Sequence, residues 1–90
     1  MKRFFFNIRE GDELIEDPDG TLLLDLTSAI SEANGAAREL LAAQIRNGRS
    51  VDGRSIEIAD ETRTVVAVIA LRSGGPMSVL IPLSFEYARL

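Results

Sequence analysis

Ninety residues form a single domain, and a chain this short buries only about 60–65% of its unfolded surface, so its core is modest. A hydrophobic share of 46% argues against disorder, and a net charge of −4 argues against non-specific nucleic-acid binding, which is driven by neutralising phosphates. The chain has no Cys, hence no disulfide or thiolate chemistry, and no His, hence neither the commonest general base nor the commonest transition-metal ligand.

Arg3 to Arg9 alternates, with Phe4, Phe6 and Ile8 on one side and Arg3, Phe5, Asn7 and Arg9 on the other. That pattern predicts a half-buried strand. Glu10-Gly11-Asp12 is a turn signal, and Leu14 and Ile15 give a short return strand, with Gly11 supplying the positive φ of a hairpin. Asp17-Pro18-Asp19-Gly20 suits a type I turn in which the Asp17 side chain bonds back to the backbone. Thr21 to Leu24 then leads into a helix.

The helix spans residues 26–47. Leu26, Ala29, Ile30, Ala33, Ala37, Leu40, Leu41 and Ile45 recur at spacings of three and four, which is one helix face. Asp25 or Thr27 is the N-cap, and Gly48 is the left-handed stop. Arg46 and Arg49 sit where the helix dipole favours cations. Asn34-Gly35 is a weak point in mid-helix, and tolerance or close packing accounts for it more readily than a functional kink.

Residues 49–54 are a loop with an Asp52-Gly53 turn. Ser55 to Ala59 is a strand with Ile56 and Ile58 inward and Glu57 outward. Asp60 to Arg63 is a connection of hairpin length. Thr64 to Leu71 is apolar on both faces, with Val66, Val68 and Ala70 on one and Val65, Ala67, Ile69 and Leu71 on the other, as in a central strand covered twice. Ser73-Gly74-Gly75-Pro76 breaks the chain. Val79, Ile81, Leu83, Phe85 and Tyr87 then alternate with Ser78, Leu80, Pro82, Ser84 and Glu86, and Pro82 consigns this strand to a sheet edge.

Few chemistries survive inspection. Asp17-x-Asp19-Gly20 lacks the further ligands of a calcium loop, because the positions that would supply them are Ile15 and Leu26. The acids between Glu10 and Asp25 lie in turns and read as a solvated acidic surface. Ser28, Ser31 and Ser55 have no His to activate them, and Gly74-Gly75 lacks the Lys of a phosphate loop. No metal or other cofactor is expected. Arg3, Phe5 and Arg9, with Arg46, Arg49 and Arg54 at the helix exit, are the candidates for binding an anion or a nucleic acid. No stretch has the length of a signal-peptide core or a membrane span, so the expectation is a soluble cytoplasmic protein.

The run from Arg3 to Asp12 resembles the opening of a small uncharacterised bacterial domain family, a domain of unknown function common in rhizobia, methylobacteria and their relatives. The resemblance continues through Asp17 to Thr21, Asp25-Leu26, Ala36-Ala37-Arg38-Glu39-Leu40-Leu41 and Asp52 to Asp60, covering about residues 1–71. It implies the order strand, strand, helix, strand, strand and no activity. Its members often carry His where this chain has Asn7. The tail, residues 72–90, is longer and more apolar than the family pattern implies.

The sequence therefore predicts one α+β domain over residues 1–90. Its antiparallel sheet has four or five strands, one long helix on one face, and a C-terminal edge strand from residues 72–90. The expected function is non-enzymatic protein–protein association as a homodimer, with Val79, Ile81, Leu83, Phe85 and Tyr87 as interface. The alternative is nucleic-acid or anion binding by the arginines and Phe5. An unidentified protein partner is also compatible with the pattern; a membrane is not.

Overall fold

The computed structural model describes residues 1–49, 53–72 and, for the backbone, 77–80. The chain forms β1 (Lys2–Glu10), β2 (Glu13–Ile15), β3 (Thr21–Leu23), α1 (Leu26–Arg46), β4 (Arg54–Ala59), β5 (Val65–Leu71) and β6 (Met77–Leu80). Every strand pairing is antiparallel. The sheet runs β2-β1-β4-β5-β6, with β3 also on β1. Six strands thus occupy five positions, and α1 packs across β4 and β5. The expected α+β class, antiparallel sheet and single helix are all present.

β3 is the element that the sequence pattern did not announce. Ile8 stands opposite Ile15 in β2, and Phe4 stands opposite Thr21 in β3. Between these pairs, the three residues Phe5 to Asn7 face the five residues Glu16 to Gly20. β2 and β3 are therefore one strand with two extra residues in its middle. An excursion of two residues preserves the alternation, so Leu14 and Leu22 share one face and Ile15 and Leu23 the other. A three-residue strand carries too little periodicity to be recognised alone.

Register assigns the faces. Phe6, Ile58 and Ala67 lie abreast on the helix side, and so do Ile8, Ile56 and Ile69. Ile58, Ile69 and Leu71 are the largest fully buried side chains. Against them lie Ala29, Ala33 and Ala37, spaced by four and fully buried. Alanines on that line let the helix axis approach the sheet closely, as packing geometry requires. At the start of β5 the register shifts, since Ile58 faces Ala67 while Ala59 faces Val65. This bulge turns Val66 into the core cluster and puts Val65 on the opposite face beside Ala59. Strict alternation had assigned those two valines the other way round.

Asp25, rather than Thr27, caps α1, its carboxylate accepting from the Ser28 N–H at 2.9 Å. The helix ends as expected, with Gly48 at φ +70°. The Gly48 N–H donates to the Ile45 carbonyl at 3.0 Å and the Arg49 N–H to the Gln44 carbonyl at 2.9 Å, a Schellman arrangement. One buried position differs from the expected stripe: Ile45 is 61% exposed, whereas Gln44 is buried. At 100° per residue, position 44 falls in line with Leu26, Ala33 and Ala37, and position 45 falls a quarter-turn away. Gly35 does not interrupt the helix, although a mid-helix Gly costs about 1 kcal/mol relative to Ala.

The Gln44 Oε1 is buried and has no hydrogen-bond partner among the described residues. Gln44→Met keeps the length and removes the stranded oxygen, so it should raise stability by about 1 kcal/mol. A urea midpoint at or below that of the parent chain would show that this oxygen carries no penalty.

Candidate functional site

The interruption between β2 and β3 leaves Phe5, Phe6 and Asn7 of β1 without a strand on their outer side. Asp17 occupies the gap. Its Oδ2 accepts from the Phe6 N–H at 3.2 Å, and its Oδ1 accepts from the N–H groups of Asp19 at 3.2 Å and Gly20 at 3.1 Å. In return the Asp17 N–H donates to Oδ1 of Asn7 at 2.9 Å, which gives that buried amide an acceptor role. Gly20 closes the turn at φ +69°, where an added Cβ would come within 2.9 Å of the Phe4 carbonyl oxygen. Only glycine fits there. Partial burial pushes the Asp17 carboxyl up, but the N–H donors of Gly20, Phe6 and Asp19, with Arg63 nearby, outweigh it and hold the group below its ordinary 3.8.

Arg63 reaches the same place from the β4–β5 turn. The Asp60 carbonyl accepts from the Arg63 N–H, and the Asp60 N–H donates to the Thr64 carbonyl, both at 2.9 Å. The Asp60 carboxylate gathers the Thr62 N–H, the Thr62 hydroxyl and the Thr64 N–H. Arg63 takes the left-handed position of this loop at φ +66°, where glycine is usual. That conformation costs a non-glycine residue about 1–2 kcal/mol. Its guanidinium lies 3.7 Å from the centroid of the Phe5 ring, and its Nη1 donates to the Asp17 carbonyl at 3.4 Å. A cation over an aromatic face returns about 0.5–2 kcal/mol, which is comparable to the strain. Arg63 therefore ties the β4–β5 turn to the β2–β3 excursion, a link that periodicity had no means of showing. The left-handed arginine is visible only in the backbone.

The six residues nominated for anion or nucleic-acid binding do not converge. Arg3, Phe5 and Arg9 share one face of β1, but Arg3 and Arg9 are six residues apart, about 20 Å along a strand. Arg3 donates to the Asp19 carbonyl at 2.7 Å. Phe5 is buried, 7% exposed, beneath Arg63. Arg9 pairs with Glu57 at 3.0 Å, and Arg54 pairs with Glu10. Arg46 and Arg49 are exposed at the end of α1. Of the nominated interface residues, Val79 lies in β6 opposite Val68. Ile81, Leu83, Phe85 and Tyr87 lie outside the described residues. Among the described residues, no three acidic side chains are grouped to hold a metal ion, and no helix is long and apolar enough to cross a membrane.

Two measurements test the Asp17–Arg63 link. Because the folded carboxyl of Asp17 lies below its ordinary value, its contribution is complete above pH 3.8 and fades as pH falls through the lower folded value. Asp17→Asn should therefore cost about 1–2 kcal/mol at neutral pH and flatten the loss of stability below pH 3.8. An unchanged acid limb in denaturant titrations would sink this assignment. At position 63, Arg63→Ala keeps the strained backbone and loses the stack, while Arg63→Gly loses both. The glycine variant should then be more stable than the alanine variant by about 1 kcal/mol, read from thermal or urea unfolding.

Comparison with known proteins gives one family and no named relative. A family model described as a domain of unknown function, DUF6894, matches residues 3–72, which is most of the chain and takes in β1 to β5, α1 and the Asn7–Asp17–Arg63 constellation. No curated protein and no solved structure shows a significant match. The chain belongs to the domain-of-unknown-function family DUF6894.

Proposed function

We propose that this domain is a non-enzymatic protein-association module that acts as a homodimer in the cytoplasm, and in a bacterium as the family resemblance implies. The observation that carries the reading is the contrast between the two ends of the sheet. At one end, β2 and β3 are three residues each, interrupted, and set within the acids Glu13, Glu16, Asp17 and Asp19. Short, bulged, charged strands are how edges are kept from pairing. At the other end, β6 carries Met77, Ser78, Val79 and Leu80 without a charge. On the sheet face away from α1, Val65, Val68 and Ala70 of β5 lie on the strand next to β6. Farther across that face come the Arg9–Glu57 pair and Phe5, which Arg63 covers, with Leu14 and Leu22 on the broken outer strand. The apolar residues and the charge-free edge thus lie together.

The rival reading, nucleic-acid or anion binding, draws less support. Its aromatic residue is covered, and two of its arginines already serve carboxylates.

Light scattering across a concentration series decides the matter. The full chain should be at least a dimer at micromolar concentration, and Val79→Lys, which puts a charge on the edge strand, should lower its molar mass with the far-ultraviolet spectrum intact. A full chain that stays monomeric at high concentration removes the reading. Salt-sensitive retention of an oligonucleotide would put the rival in its place.

A further inference from the structure

Gly35 is a position in α1 that no contact among the described residues explains. It lies opposite the buried Leu26–Ala33–Ala37 line, and a Cβ built on it would meet nothing within 4 Å. Among the described residues, nothing asks for a glycine at this helix-weakening position. A groove opens along the same face, lined by Ser28, Ser31, Glu32, Gly35 and Glu39 with Leu23 at one end. Arg38 lies on its other side. Glu32, Arg38 and Glu39 are all exposed, and none of the three has an ionic partner among the described residues.

We propose that this outward face of α1 takes a second copy of the chain, the two helices crossing antiparallel about a two-fold axis at Gly35. The charges select that arrangement. In an antiparallel pair centred on position 35, residues equally far before and after it meet. Glu32 then faces Arg38 of the second copy, and Arg38 faces its Glu32, so two ion pairs form from one pair of residues. Ser31 meets Glu39 across the axis, and Ser28 meets Ala42, both ways round. A parallel pairing would leave Glu32 and the second copy's Arg38 six residues apart in rise, about 9 Å, and form neither pair. Small side chains at 28, 31, 35 and 42 let the axes come to the roughly 8 Å lower limit of helix packing. A self-complementary patch is what an isologous two-fold contact requires.

This surface is separate from the β6 edge and rests on the proposed function only in that the partner is again a copy of the chain. With both in use, pairs would assemble further, into a closed tetramer where the two axes meet at right angles.

The chain has no cysteine, so one introduced thiol reports on one contact. In the full chain, Gly35→Cys should form a disulfide-linked dimer under mild oxidation much faster than Glu61→Cys, which places an exposed thiol on the β4–β5 turn. Glu32→Arg and Arg38→Glu should each weaken association about tenfold, because each turns two attractions into repulsions. The double variant Glu32→Arg/Arg38→Glu restores both pairs and should return association to near the parent value. A merely destabilised helix would not be rescued in this way. If Gly35→Cys links no faster than Glu61→Cys, or if the double variant stays as weak as the singles, the proposal falls. Adding Val79→Lys separates the two surfaces. Linking through position 35 that survives it supports the helix contact whatever becomes of the edge, and linking abolished by it overturns an independent helix interface.

Discussion

Phe5, Phe6 and Asn7 have no strand on their outer side, and a carboxylate stands in for one. An unpaired backbone N–H in a half-buried position is costly. Asp17 meets the Phe6 N–H and, with its other oxygen, holds the turn that carries it there. Asn7 closes the exchange by accepting the Asp17 N–H. The interrupted outer strand depends on this exchange, because β2 and β3 are each too short to persist alone. Arg63 adds a third element from forty-six residues away, placing its cation over Phe5 and a donor on the Asp17 carbonyl. A left-handed arginine in a position made for glycine is local strain held by tertiary contacts.

The same exchange shapes the edges of the sheet. Because the excursion has two extra residues, the outer strand keeps its facing, but its edge is broken in the middle and carries acids. At the far end of the sheet, the described residues of β6, Met77–Leu80, carry no charge. On the helix side, the three buried alanines bring α1 close to Ile58 and Ile69, and the outward face is then short-chained around Gly35. The two proposed contacts rest on one sheet with unlike edges and one helix with unlike faces.

Arg9 and Arg54 show why a list of cations is a poor guide to a binding site. Both looked available in the sequence. Antiparallel pairing of β1 with β4 sets Arg9 within reach of Glu57 and puts Glu10 directly opposite Arg54, so the sheet neutralises them. The acidic run of residues 10–25 divides in a similar way: Asp17 and Asp25 bind backbone N–H groups, while Asp12, Glu13 and Glu16 face solvent.

The sequence by itself determined the α+β class, the long helix with its Gly48 stop, the β4 and β5 strands and the Asp17 turn. These rest on local chemistry: spacings of two and of three or four, a glycine that must take positive φ, and a carboxylate two residues ahead of the N–H it accepts. The tertiary structure decided the rest. β3 exists because β1 offers an edge for three residues to pair with. Gln44 replaced Ile45 in the core because the helix sits on the sheet along one line. Val66 turned inward because of a bulge between partners distant in the chain. Phe5 lost its surface to an arginine fifty-eight residues later, by a contact between loops that no periodicity encodes.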